Sequence, residues 1–148
     1  MRESVAKLLR IIGCRVVDLG PRSRRSFDYP EIAAAIGRRV SRGEADRGIL
    51  LGATGMEMAM VANKFPGVRA ALCVDELSAE IARRHLDANV LCLSSDLLGE
   101  PDIERIVLVW LSAPFDGGRH ARRLGEIAAV EQEILAVHGE RQPVSPHP

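Results

Sequence analysis

The sequence predicts a single α/β domain in which a parallel β-sheet is covered by helices on both faces. Three observations carry this. The chain has 148 residues, 47% of them apolar, which suits one hydrophobic core. Helix-like and strand-like segments alternate along it. The run VRAALCV at 68–74 is apolar on both faces, as a parallel strand buried between two helical layers must be.

The elements follow in order. Residues 2–12 set Val5, Leu8, Leu9 and Ile12 at helical spacing, and Gly13 ends that helix. Cys14–Leu19 (CRVVDL) reads as a first strand. GPRSRRSFDY, at 20–29, is a polar, basic loop. Pro30 suits the first position of a helix that continues through EIAAAIGRRVSR to Arg42, where Gly43 stops it. Asp46–Leu51 is a second strand, GATG at 52–55 a tight loop, and 56–63 a short helix before the turn Lys64-Phe65-Pro66-Gly67. After the third strand, 68–74, either Asp75 or Ser78 caps a helix that reaches Leu86. Asn89–Leu93 is a fourth strand. Pro101–Ser112 is a helix closed by Pro114, and Arg119–Val137 is a last long helix. GERQPVSPHP, at 139–148, holds three prolines and reads as a disordered tail, leaving 1–138 as the domain.

Twenty Lys and Arg balance twenty Asp and Glu. Zero net charge argues against a nucleic-acid partner, because neutralising phosphates takes excess positive charge. The absence of an apolar run of about 18 residues argues against a membrane span, and no secretory signal is visible. The expectation is a soluble, cytoplasmic protein. Cys14, Cys73 and Cys92 lie in or beside apolar runs without metal-ligand spacing and read as buried free thiols. Trp110 and Phe65 read as core or interface.

In a parallel α/β sheet, ligands bind at the carboxyl ends of the strands. Four segments therefore draw notice. A strand running into Gly52, Ala53, Thr54 and Gly55 and then a helix aims several N–H groups at one point, suited to an anion or a developing oxyanion. On spacing alone, the same loop reads first as an ordinary tight turn between strand and helix. FDGGRHARR sets Arg119, His120 and Arg123 within one and a half helical turns, fit for a phosphate clamp or for a solvated basic face. His85 ends a helix just before a strand, where a structural role competes with a chemical one. Tyr29, the only tyrosine, either points its hydroxyl into a cleft or packs on a helix.

The run from Gly43 to Glu100, with FDGGRHARR after it, resembles the family of ribose-5-phosphate isomerase B and the galactose-6-phosphate isomerases. The similarity spans about residues 5–135, and ANKFPGVRAAL, RRHLDANVL and GGRHARR are its most specific stretches. The resemblance implies a Rossmann-like three-layer αβα sandwich of five parallel strands, four of them visible here. It implies a homodimer or tetramer with shared active sites, in which the C-terminal helix packs on a partner subunit. The implied reaction is aldose–ketose isomerisation of a sugar phosphate through an enediolate, with no metal and no organic cofactor. Residue by residue, the cradle falls on Gly52, Ala53, Thr54 and Gly55, ring opening on His85, the phosphate clamp on Arg119, His120 and Arg123, and the loop tyrosine on Tyr29.

Three departures follow from the same comparison. One branch of the family carries its proton-moving base as a cysteine where this chain has Gly52. Another carries a glutamate where this chain has Met58, and the nearby carboxylate here is Glu57, about 100° away around a helix. Glu57 is thus the candidate base. The asparagine that follows the family's histidine is Leu86. The family also begins with a strand and an Asp-His loop, whereas the sequence here opens on the first helix. The strand order 2-1-3-4-5 makes that strand interior. CRVVDL is then expected to close the gap, or the region to stay open, or the coding frame to start upstream. The functional expectation is an isomerase of ribose 5-phosphate type, and its alternative a catalytically impaired member that binds sugar phosphate or only dimerises.

Overall fold

The computed structural model describes residues 1–20 and 28–139. It divides into two compact units, Met1–Asp116 and a second from Gly117. The tail expected at 139–148 lies outside the described residues from 140 on, as does most of the basic loop, 21–27.

In the first unit the order is α1 (Arg2–Ile11), α2 (Tyr29–Ser41), β1 (Gly48–Gly52), α3 (Met56–Ala62), β2 (Ala70–Leu72), α4 (Glu76–Leu86), β3 (Val90–Ser94) and α5 (Glu100–Ser112). The strands form one parallel sheet in the order β1-β3-β2, with Gly48 and Ala70 both opposite Val90. The chain crosses from β1 over β3 to β2 and then steps back. With both crossovers right-handed, this reversal puts α3 and α4 on opposite faces.

The core confirms it. Leu91 and Leu93 of β3, with Ile49 and Leu51 of β1, face α1, α4 and α5, where Ile103, Ile106, Val107 and Trp110 are fully buried. Val90, Cys92 and Leu50 face the other way, onto Ala33 of α2 and Met58 and Ala62 of α3. All five β3 residues are buried, as the middle strand of a double-sided layer requires. Asp75 and Ser78 cap α4 together: the Asp75 carboxylate accepts from Ser78 N–H at 2.7 Å, and Ser78 Oγ accepts from Asp75 N–H at 3.2 Å. Phe65 packs at the edge of the second core beneath the Arg38 guanidinium.

Two expectations are corrected. Cys14–Leu19 is not a strand, so the described sheet has three strands rather than four. Its main chain turns to local partners instead: Cys14 N–H donates to Leu9 O, and Gly20 N–H to the Asp18 carboxylate. A strand exists only by its ladder, and among the described residues none pairs with this segment. Cys14 is consequently exposed, whereas Cys73 and Cys92 are buried free thiols. Burial pushes those two up to about 11 and about 12.

The second unit is described by α6 (Gly118–Gly139). Ile127, Val130, Ile134 and Val137 recur along it at spacings of three and four and are exposed. Among the described residues, no helix is long and apolar enough to cross a membrane.

Candidate active site

Parallel strands bring the loops after β1, β2 and β3 to one edge of the sheet. The loop after β3 holds the loop after β1 by its carbonyls. Ser94 Oγ donates to Ala53 O at 2.6 Å, Ser95 N–H and Oγ to Gly52 O at 2.7 and 3.0 Å, and Asp96 N–H to Ala53 O at 3.2 Å. The reading of the sequence missed Ser94 and Ser95; two hydroxyls directly at the carboxyl end of a buried strand were the available signal. Gly55 closes the loop with φ +79°, and a Cβ there would sit 2.7 Å from Leu72 Cδ1 and 3.0 Å from the Leu93 backbone. Gly55→Ala is therefore expected to destabilise the fold by about 1–3 kcal/mol, read as a lower denaturation midpoint. An unchanged midpoint would mean that the loop relaxes freely.

With its carbonyls tied inward, the loop gathers its donors around the Glu57 carboxylate. Thr54 N–H donates to Oε1 at 3.3 Å and Thr54 Oγ makes a short hydrogen bond to Oε2. The Thr54 hydroxyl holds the Glu57 carboxyl below the usual carboxylate range; partial burial opposes it, and the amides of Glu57, Thr54 and Gly55 assist. In this structure the group that meets the donors of Thr54 is the chain's own Glu57 carboxylate.

Gly52 is what makes this possible. A Cβ at position 52 would collide with Glu57 Oε1 and lie 2.8 Å from Met58 Cγ. Met58 itself turns into the core, 5% exposed. The carboxylate of Glu57 therefore fills the space that a side chain at position 52 would take.

Tyr29 is the first residue of α2, half-exposed rather than in a loop. Val40, near the far end of α2, lies against Gly48 at the start of β1. The helix accordingly runs back along the sheet, and Tyr29 lies towards the carboxyl edge with the 52–55 loop.

His85 lies elsewhere. It is in the last turn of α4, which carries the chain from the carboxyl end of β2 to the amino end of β3. Eleven helical residues span about 16 Å, so His85 belongs to the opposite edge of the sheet from Glu57. There its Nε2 is 3.9 Å from Asp116 Oδ2, while Asp116 Oδ1 accepts from Arg84 Nε at 3.0 Å. Leu86 beside it is exposed.

In the second unit, Arg119 and Arg123 lie one turn apart on the first turns of α6, both exposed, with His120 between them. Arg119 Nε donates to His120 Nε2 at 3.4 Å, which links two of the three clamp candidates.

The model of the Ribose/Galactose Isomerase family matches residues 1–127. Ribose-5-phosphate isomerase B of Escherichia coli K12 is 42% identical over 130 residues, covering 88% of this chain and 87% of that protein. Ribose-5-phosphate isomerase B of Clostridium thermocellum has a similar structure, with TM-score 0.87 and 39% identity over 89% of both chains. The enzyme of that name from Mycoplasma genitalium, solved with bound ribulose 5-phosphate, gives TM-score 0.86 and 41% identity over 88% of both chains.

Proposed function

The chain belongs to the ribose/galactose isomerase family, and from that premise we propose that it interconverts ribose 5-phosphate and ribulose 5-phosphate at a site shared between two copies of the chain. The observation that carries this reading is the ionised Glu57 carboxylate occupying the side-chain space of Gly52 on a loop of converging donors.

The chemistry needs a group that opens the sugar ring, a base for the proton next to the carbonyl, and donors for the charge that forms on oxygen. His85 of the partner subunit moves the proton between the C1 hydroxyl and the ring oxygen, releasing the open-chain aldehyde. Glu57 swings off the loop and takes the C2 proton. The loop amides and the Thr54 hydroxyl, freed by that swing, receive the enediolate oxygens. The O2 proton passes to O1 and Glu57 returns its proton to C1, which leaves the ketose. Tyr29 lines the sugar end of the cleft. Arg119 and Arg123, with His120, hold the phosphate; planar guanidiniums match its oxygens in pairs.

Two features support a dimer as the working unit. Glu57 and His85 belong to opposite edges of one sheet, so a single chain cannot bring both to one short sugar. The exposed Ile127, Val130, Ile134 and Val137 on α6 form an apolar stripe suited to a second helix.

The test follows ketose formation from ribose 5-phosphate, together with deuterium uptake at C2 in deuterated buffer. Neither signal above background, with ribose 5-phosphate still raising the melting temperature, would leave a binding protein only. Ligand at 100 times its Kd stabilises a protein by about 2.7 kcal/mol, a readable shift. The double substitution Arg119→Ala, Arg123→Ala is expected to abolish that shift; if the shift survives, the phosphate is held elsewhere.

A further inference from the structure

The last turns of α4 carry a chain of charges that ends on His85. Glu80 and Arg84 are one helical turn apart, and Arg84 Nη1 donates to Glu80 Oε1 at 2.9 Å. Arg84 Nε donates to Asp116 Oδ1 at 3.0 Å, and Asp116 N–H donates back to Arg84 O at 3.0 Å. Asp116, 32 residues beyond Arg84 in the sequence, is thus tied to α4 by its main chain and by one carboxylate oxygen. Its second oxygen, Oδ2, lies 3.9 Å from His85 Nε2.

A histidine that opens a sugar ring needs one nitrogen ready to accept a proton and the imidazole's own proton on the other. It also needs something to steady the imidazolium that forms between the two transfers. An ionised carboxylate only accepts hydrogen bonds, so Asp116 selects the tautomer that carries its proton on Nε2. The carboxylate favours the imidazolium charge as well, and so does the carboxyl end of α4, where His85 stands. The imidazole is half-exposed. A movement of about 1 Å at Nε2 closes the gap to a charge-assisted hydrogen bond of about 2.8 Å, and such bonds often tighten only with substrate in place.

Given that His85 opens the ring, as the proposed function has it, we propose that Asp116 is its positioning residue. His85 Nδ1 takes the proton of the C1 hydroxyl as C1 and O1 become a carbonyl. The bond from C1 to the ring oxygen breaks, and Nδ1 hands its proton to that oxygen. Asp116 stays ionised throughout and holds the imidazole by Nε2, while Arg84 fixes the direction of the carboxylate. Asp116 and His85 lie on one chain, so they enter a shared site together.

Ribulose 5-phosphate separates this role from a structural one. Its carbonyl is at C2 and its O5 carries the phosphate, so it has no five-membered ring to open. Exchange of its C1 protons in deuterated buffer needs Glu57 and the loop donors but no ring opening. Asp116→Asn keeps the shape and an acceptor for Arg84 Nε, yet turns an N–H towards His85 and drives the proton onto Nδ1. The variant is expected to lose about 10²-fold or more in kcat/KM for ribose 5-phosphate, with C1 exchange from ribulose 5-phosphate within about threefold of native. In alkaline buffer, where imidazole is neutral, the 15N signals of His85 are expected to report the proton on Nε2 in the native protein and on Nδ1 in the variant. An active native protein whose Asp116→Asn variant slows both reactions alike, or neither, overturns the proposal and leaves the isomerase reading intact. So does a native His85 protonated on Nδ1. A native protein that neither exchanges nor turns over removes both.

Discussion

Glu57→Gln is expected to lower kcat for ribose 5-phosphate isomerisation by about 10²–10⁴-fold, the usual contribution of a general base. Glutamine keeps the length and one acceptor oxygen, so the Thr54 N–H retains a partner and the loop its shape; only the capacity to take a proton is lost. The thermal shift produced by sugar phosphate should survive, and deuterium uptake at C2 should fall with kcat. Unchanged uptake would remove Glu57 from the mechanism. Gly52→Ala probes the same space from the other side. Its Cβ meets Glu57 Oε1 and Met58 Cγ, so it should lower kcat without deleting the base. Thr54→Val removes the largest cause of the depressed Glu57 pKa. The carboxyl then titrates at higher pH, and the acid limb of kcat/KM moves upward. A limb that stays in place would mean another group sets it.

Sequence reasoning reached this site unevenly, for reasons visible in particular residues. The Asp75–Ser78 cap, the strand at 89–93 and the helix opening at Pro30 are local or periodic signals, and local rules read them; full burial, by contrast, was expected of the run at 68–74, whose strand β2 lies at the sheet's edge and is only half-buried, while β3 takes the buried middle place. Strand β2 is shorter than its apolar run because Val68 N–H donates to Phe65 O and Arg69 N–H to the Asn89 side chain. Those partners come from a turn and from a loop 20 residues away, which periodicity does not see. CRVVDL failed as a strand for the same kind of reason: a strand depends on partners distant in sequence, and the Cys14 N–H goes to Leu9 O and the Gly20 N–H to the Asp18 carboxylate instead. Glu57 was legible as a candidate but not its direction, which depends on an atom that Gly52 lacks. The placement of His85 needed no coordinates. A helix linking two parallel strands ends at the edge opposite the one where it begins, and applying that rule to α4 would have separated His85 from the 52–55 loop at the outset.

That separation leads to the second large effect. Glu57→Gln and His85→Ala should each be nearly inactive alone. Mixed in equal amounts, unfolded and refolded together, they are expected to recover about a quarter of the native activity. Half of the randomly formed dimers carry one subunit of each kind. In such a dimer one shared site collects both substitutions and the other collects neither, so one site in two is intact. A chain that assembled its site alone would recover nothing, because every site would hold one defect. The same mixture made from Glu57→Gln and Arg119→Ala, Arg123→Ala assigns the clamp. Recovery places those arginines with His85 across the subunit boundary from Glu57; no recovery places them on the same side as Glu57. Glu57→Gln and His85→Ala, each unfolded and refolded alone, must stay nearly inactive, and this fixes the baseline against which a quarter is read.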